Sequence, residues 1–287
     1  MGATGNTGKA AVAGLLRRGA EIRALTRDPA KASHLKSSGV DIVAADPRNA
    51  VSLAKAFTGI DAAYVMIPAL VQARDLLREA KGIAQAVAEA IDMAGLSYVV
   101  ALSSGGSHLS KGTGAIRTLH DFEAALRQTK ASITYIRASD FMENWAYALP
   151  IARHGGILPS GREPLDQPMQ TVSTMDIGRL AAECLLDRHQ GERIINLLGP
   201  RDYSPRQIAE ALGTIIGKHV EAVPIPRDEL LPALQEGGFG AEYARRVTEL
   251  YDGLNSGVIG FEPGVGQTRR GITTIADALR MMGAGNG

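Results

Sequence analysis

Cysteine is almost absent. Cys184 is the single one in 287 residues, so no intrachain disulfide can form and Cys-x-x-Cys zinc or redox pairs are excluded. Aromatic residues are few, at 5%. Neither sign of charge dominates: 31 Lys and Arg stand against 30 Asp and Glu, a net +1. With no basic block, nucleic acid or an anionic membrane is a poor fit as main partner. Long apolar runs are missing too. The longest, residues 62–71, is about half a membrane span and contains Pro68. The N-terminus has neither the charged nor the apolar region of a signal peptide. The six histidines, at 34, 108, 120, 154, 189 and 219, include no pair at ligand spacing, so no metal site is expected. Together these absences predict a soluble, reduced, cytoplasmic protein.

Glycine, by contrast, is plentiful at 33 residues, against an otherwise ordinary 45% hydrophobic and 21% charged composition. Short apolar runs at 21–26, 40–44, 62–67, 98–103 and 133–137 read as strands. Their apolarity is continuous rather than alternating, which marks strands covered on both faces. Helical patterns lie between them and stop at Gly19, Gly39, Gly59 and Gly95, where a left-handed residue is needed. The alternation predicts an α/β protein with a doubly wound, parallel Rossmann sheet. Residues 1–140 are expected to form a dinucleotide-binding domain. Residues 141–287 are expected to form a smaller α/β substrate region, with 170–199 returning to the Rossmann sheet. Within that region 140–153 reads as a helix, 155–168 as a Gly/Pro-rich loop, 174–186 as a capped helix and 193–198 as a strand. The pattern continues with a helix at 205–216, a strand at 220–225, helices near 227–235 and 241–254, a Gly-rich stretch, and a final helix at 275–282.

Residues 2–8 read Gly-Ala-Thr-Gly-Asn-Thr-Gly and open a helix. Small residues let a backbone approach a pyrophosphate, and the helix start supplies free amides and partial positive charge. Gly2, Thr4, Gly5, Asn6, Thr7 and Gly8 are therefore candidate cofactor residues. A strand should precede this turn and be central in the sheet, yet only Met1 does. The expectation is a native start upstream of Met1, or a fragment, with two half-sheets left unpaired. The second strand ends at Thr26-Arg27-Asp28-Pro29. An arginine there suits a 2′-phosphate, so NADP(H) is favoured over NAD(H), while Asp28 suits a helix cap. Asp46, ending the next strand, is a candidate adenine contact or a cap.

In short-chain dehydrogenases a strand-end serine is followed by Tyr-x-x-x-Lys, the tyrosine being the proton donor. Here Ser103 ends the strand, but the following helix has Ile116 and His120 at those two positions. The Tyr–Lys acid is absent. Direct hydride transfer to an acceptor that needs little acid help, such as a quinone, remains open. His120 is a candidate to bind the nicotinamide ribose or donate a proton, or is a structural histidine. Ser103 is a candidate to orient nicotinamide or substrate, or it satisfies a local amide.

The chain resembles the NmrA-like, atypical short-chain dehydrogenase family over nearly its whole length. The resemblance rests on Gly-Ala-Thr-Gly-Asn-Thr-Gly at 2–8, Ala-Leu-Thr-Arg-Asp-Pro at 24–29, Leu-Ser-Ser at 102–104 and His-x-x-Glu at 120–123. It continues through Arg-Ala-Ser-Asp-Phe-Met-Glu-Asn-Trp at 137–145, Asp-Ile-Gly-Arg at 176–179 and Arg-Arg-Gly-Ile-Thr-Thr at 269–274. It implies a Rossmann domain with a smaller C-terminal substrate region. The activities it implies are NAD(P)H quinone reductase, azoreductase, aromatic ether reductase, or a catalytically silent redox sensor. His120 stands where ether and isoflavone reductases carry lysine, which counts against those two.

Phe141, Met142 and Trp145 share one side of the expected helix, and Tyr243, Leu250 and Tyr251 mark a later one, with Phe239 before it. They make either an aromatic-edged substrate cleft, with Phe141 and Trp145 as candidate substrate contacts, or the core of the small region. Glu143 and Asn144 read as hydrogen bonds to nearby backbone. The expectation is an NADPH-dependent oxidoreductase passing hydride to a quinone-like, azo or conjugated carbonyl acceptor, with Ser103 and His120 as catalytic candidates. The alternative is an NADP(H)-binding sensor acting through a regulatory protein. A homodimer is left open.

Overall fold

The computed structural model describes residues 1–284. Strand and helix alternate through the first half of the chain: α1 (Asn6–Leu16), β1 (Arg23–Thr26), a 3-10 helix over Pro29–Ser38, β2 (Asp41–Ala44), α2 (Ala50–Phe57), β3 (Ala62–Val65), α3 (Leu76–Ala94), β4 (Tyr98–Ser104), α4 (Arg117–Leu126) and β5 (Ser132–Ala138). Then come β6 (Asp140–Phe141), a 3-10 turn at Met142–Tyr147, α5 (Ala148–Gly155), β7 (Ile157–Ser160), β8 (Thr171–Val172), α6 (Thr174–Leu186) and β9 (Glu192–Leu198). The chain continues with α7 (Pro205–Ile216), β10 (Glu221–Pro224), α8 (Arg227–Glu236), α9 (Ala241–Asn255), β11 (Gln267–Arg270) and α10 (Ile275–Ala284).

Five strands form a parallel sheet in the order β11-β9-β5-β4-β3. Its continuous apolarity has a plain cause, because alternate side chains enter different cores. Val99, Ala101, Ile133 and Tyr135 pack with Leu53, Phe57, Ile83, Val87 and Phe122 of α2, α3 and α4. Tyr98, Val100, Ile136 and Ala138 pack with Ala11 of α1 and with Ile177, Leu180 and Ala181 of α6. The sheet is thus covered on both faces, as a doubly wound fold requires. β1 and β2 pair only with each other and stand apart from the five-stranded sheet.

α1 and α6 touch at glycines. A Cβ on Gly178 would lie 2.4 Å from the Ala10 Cβ and 2.5 Å from the Thr7 carbonyl oxygen. Asp176, two residues earlier, accepts the Ile272 and Thr273 amides at 3.0 and 2.9 Å and pairs with Arg179 at 2.8 Å. The Asp-Ile-Gly-Arg and Arg-Arg-Gly-Ile-Thr-Thr segments therefore meet and serve to pack α6 and tie the chain end to it.

A second core gathers Met142, Trp145, Leu149, Leu158, Ile208, Leu212 and Leu279, from the 3-10 turn, α5, β7, α7 and α10, with Tyr203 from the segment before α7. Two expectations fail here. Residues 140–153 are not one helix, because Pro150 has no amide to bond residue 146 and the α-helix starts only at Ala148. Residues 155–168 are not all loop, because β7 pairs in parallel with β10. β11 was also unforeseen. It is a polar Gln-Thr-Arg-Arg edge strand, exposed throughout, and carries no apolar signal.

Candidate functional site

A cavity of about 660 Å³ opens at the carboxyl ends of β3, β4 and β5. In open α/β sheets this is where ligands bind. One end is formed by Gly5, Asn6 and Thr7 at the start of α1. Gly2 takes a left-handed φ of 67°, and the Gly5 amide donates to the Gly2 carbonyl at 3.0 Å. Any Cβ at Gly8 would lie 2.0 Å from the Gly2 carbonyl oxygen, so only glycine closes this turn. The cap residue is Gly5, no side chain caps α1, and its first turn holds no acid. Its leading amides and partial positive charge are left for an anion. These features fit a dinucleotide pyrophosphate. Thr4 is half-buried in the turn and does not line the cavity.

Arg27 follows β1 on the surface, and among the described residues its side chain has no hydrogen bond or ion pair. Asp28 caps the 3-10 helix by accepting the Ala30 amide at 3.0 Å. Asp46 is exposed, and its carboxylate accepts the Arg48 amide at 3.0 Å, which is a turn cap.

The far end is built on Ser103 of β4, Ala138 and Ser139 at the end of β5, and Asp140 and Phe141 of β6, with Ile116 just before α4 and Thr118 and Leu119 within it. Tyr243, Leu250 and Leu254 of α9 and the strap residues Ile259 and Phe261 close it. Ser103 lines the cavity, but its hydroxyl donates away from it, to Glu123 at 2.6 Å. Ser107 donates to the same Glu123 oxygen at 2.7 Å. Arg137 reaches both carboxylate oxygens, Nε at 3.0 Å and Nη2 at 2.8 Å, and Arg127 adds a third cationic contact at 3.0 Å. Burial pushes the Glu123 carboxyl up, but the hydrogen bonds from Arg137, Ser103 and Ser107 outweigh it and hold it below the ordinary value. Arg137 also binds Glu262 at 2.9 Å, which tethers the strap carrying Phe261.

His120 is a correction. Its ring Nδ1 bonds the Ser107 carbonyl at 2.9 Å, and the residue does not line the cavity. Ile116, Thr118 and Leu119 line the cavity here, while the His120 ring is turned to the Ser107 carbonyl. Trp145 is the second correction. It is 3% exposed in the second core, because the 3-10 turn that replaces the expected helix turns it inward beside Met142. Phe141 does line the cavity. Of the later aromatics Tyr243 lines it, while Tyr251 and Phe239 do not, and Phe239 packs on Tyr243 at 5.4 Å between ring centres.

Glu143 caps α6, accepting the Ser173 hydroxyl at 2.8 Å and the Thr174 amide at 2.9 Å. Asn144 faces the cavity and donates to Asp140 at 2.8 Å. Asp140 is the carboxyl of the cavity wall. Burial pushes it up, against the Asn144 hydrogen bond and the charge of Arg162. Burial also raises the Tyr243 phenol. Glu123, Asp140 and Arg162 had no role in the sequence reading. Glu123 stands in the His-x-x-Glu motif, but nothing in its spacing shows that Arg137 meets it. Among the described residues no helix is long and apolar enough to cross a membrane, and no group of three His, Cys, Asp or Glu could hold a metal ion.

A parallel, doubly covered sheet with a glycine turn at its carboxyl end is a Rossmann-like α/β fold. The NmrA-like family matches residues 1–273, and the chain belongs to that family. It is 26% identical over 253 residues to an NAD(P)H azoreductase of Xenophilus azovorans, spanning 88% of this chain and 85% of that protein. The structure is similar to that of Citrobacter sp. triphenylmethane reductase complexed with NADP(H), at a TM-score of 0.82, 20% identity and 98% of both chains. It is similar also to an NADPH-dependent quinone oxidoreductase of Escherichia coli complexed with NADPH, at 0.81, 21% and 98% of both chains.

Proposed function

We propose that this protein is an NADPH-dependent reductase that delivers hydride directly to a small quinone-like, azo or conjugated carbonyl acceptor. The observation that carries the reading is the cavity itself. It runs from an uncapped helix start behind an obligatory glycine turn to an apolar, aromatic-edged chamber at the ends of β4 and β5. The likeness to an NAD(P)H azoreductase and to two NADPH-linked reductase folds supports the same reading.

When bound, the reduced nicotinamide supplies the hydride. Gly2, Gly5 and Gly8, with Thr4, Asn6 and Thr7, form the turn that holds the pyrophosphate, and Arg27 takes the 2′-phosphate. Ser103 acts through its place in the wall, because its proton is committed to Glu123. Ile116 stands where a tyrosine acid would be needed, so the wall there excludes water and offers no proton. An acceptor whose reduced form takes its proton from solvent or after transfer suits such a site. Phe141 and Tyr243 supply aromatic wall beside it.

The test is oxidation of NADPH and of NADH by the purified protein with a panel of quinones and azo dyes, repeated with Arg27→Ala. The expected result is turnover preferring NADPH, a preference that falls by about tenfold or more in Arg27→Ala. Tight NADPH binding without turnover on any acceptor would favour a sensor. The absent tyrosine acid is the observation that keeps that second reading in play.

A further inference from the structure

We propose that Arg162 forms an oxyanion subsite in the cavity wall, selecting an aromatic acceptor that carries a carboxylate. This rests on the reductase reading above and names its substrate more closely.

Arg162 is held by a built clamp. The Ser160 hydroxyl accepts the Arg162 amide and donates to the Arg162 carbonyl, both at 3.0 Å. On either side, Asn255 at the end of α9 binds the Gly161 carbonyl at 2.8 Å and the Glu163 amide at 3.2 Å. Two side chains from separate elements thus fix the backbone of three successive residues. A surface arginine needs no such support.

The side chain so positioned lines the cavity and is half-buried. Its Nε is buried and has no hydrogen-bond partner, and among the described residues the guanidinium makes no ion pair. Asp140 and Tyr251 act on the guanidinium through charge alone, and one Asp140 oxygen accepts the Asn144 amide at 2.8 Å. A buried donor left unbonded costs free energy until something binds it. Burial also lowers the guanidinium's affinity for its proton, against the charge of Asp140, which fits a cation short of partners. A planar fork of N–H donors matches a carboxylate by two parallel bonds. The same cavity presents Phe141 and Tyr243 for the aromatic body that would carry it.

The experiment compares an anthraquinone carboxylate with its methyl ester as acceptors at saturating NADPH, for the natural protein, Arg162→Gln and Arg162→Lys. The natural protein should show the lower KM for the carboxylate. Arg162→Gln should reduce that preference by roughly 10- to 100-fold, and Arg162→Lys, which keeps the charge and loses the fork, by less. No preference in the natural protein, or equal loss on both acceptors in Arg162→Gln, overturns the subsite. A matching loss of NADPH affinity also overturns it, because Arg162 would then serve the cofactor. If neither acceptor is reduced, the reductase reading has failed, and binding decides the subsite. Naphthalene carboxylate should then bind NADPH-saturated natural protein more tightly than naphthalene carboxamide, and equal binding overturns the subsite. That comparison also decides if Arg162→Gln does not fold.

Discussion

Glu123 and Arg137 face each other across the end of the sheet as a two-pronged ion pair, each about 1–2% exposed. The pair joins α4 to β5, takes the Ser103 hydroxyl from the β4 end, and reaches through Glu262 to the strap beside the cavity. Breaking one half leaves a buried charge without its partner, at a cost of about 3–5 kcal/mol. Glu123→Ala and Arg137→Ala should each lower stability by that order in denaturant unfolding. The double variant Glu123→Leu with Arg137→Met should cost less than either single change. Additive losses would show that the pair is not the unit described.

The same carboxyl sets a pH dependence. Glu123 is held below the ordinary carboxylate value in the folded protein, so its contribution is present above the unfolded-state pKa of about 4.3. It is lost as pH falls through the lower, folded value. Melting temperature should therefore fall on acidification below about pH 5, and fall less steeply in Glu123→Gln than in the natural protein. Identical slopes would remove Glu123 from the account.

Two glycine substitutions should act in opposite directions. Gly8→Ala drives a Cβ into the Gly2 carbonyl and should weaken NADPH binding by at least about tenfold in a fluorescence titration. Gly82→Ala, inside α3 with open space around the new methyl, should raise stability by about 0.5–1 kcal/mol. Undiminished binding in Gly8→Ala would mean that the turn does not hold the pyrophosphate.

His120→Ala should leave steady-state turnover within about twofold of the natural protein, because the ring bonds the Ser107 carbonyl and not the cavity. A general acid contributes about 10²- to 10⁴-fold. A loss of that size would restore His120 to the chemistry.

The legible part of this protein is the part governed by local rules. Positive-φ glycines at 19, 39, 59 and 95 stop segments where the pattern places them, and the apolar runs at 62–67, 98–103 and 133–137 become the buried strands β3, β4 and β5, whereas β2 has no buried residue. The turn at residues 2–8 is readable for the same reason, since Gly2 takes a left-handed φ and Gly8 has no room for a Cβ. Trp145 and His120 each had two readings in the sequence, and the choice rests on the 3-10 turn at Met142–Tyr147 and on the Ser107 carbonyl that holds the His120 ring. Period alone cannot supply either. The Glu123 cluster joins residues from 103 to 262, and Arg162 is positioned by Asn255, so neither could be found without the tertiary fold. β11 was hidden because an exposed edge strand needs no apolar residues.

Hydride transfer from NADPH to an acceptor in the chamber at the ends of β4 and β5 is the proposed chemistry. The most direct measurement is the rate of naphthoquinone reduction by purified protein with NADPH deuterated at the transferred position. NADPH should be oxidised, and the deuterium should slow that oxidation. NADPH bound but not oxidised by any acceptor in the panel would contradict it.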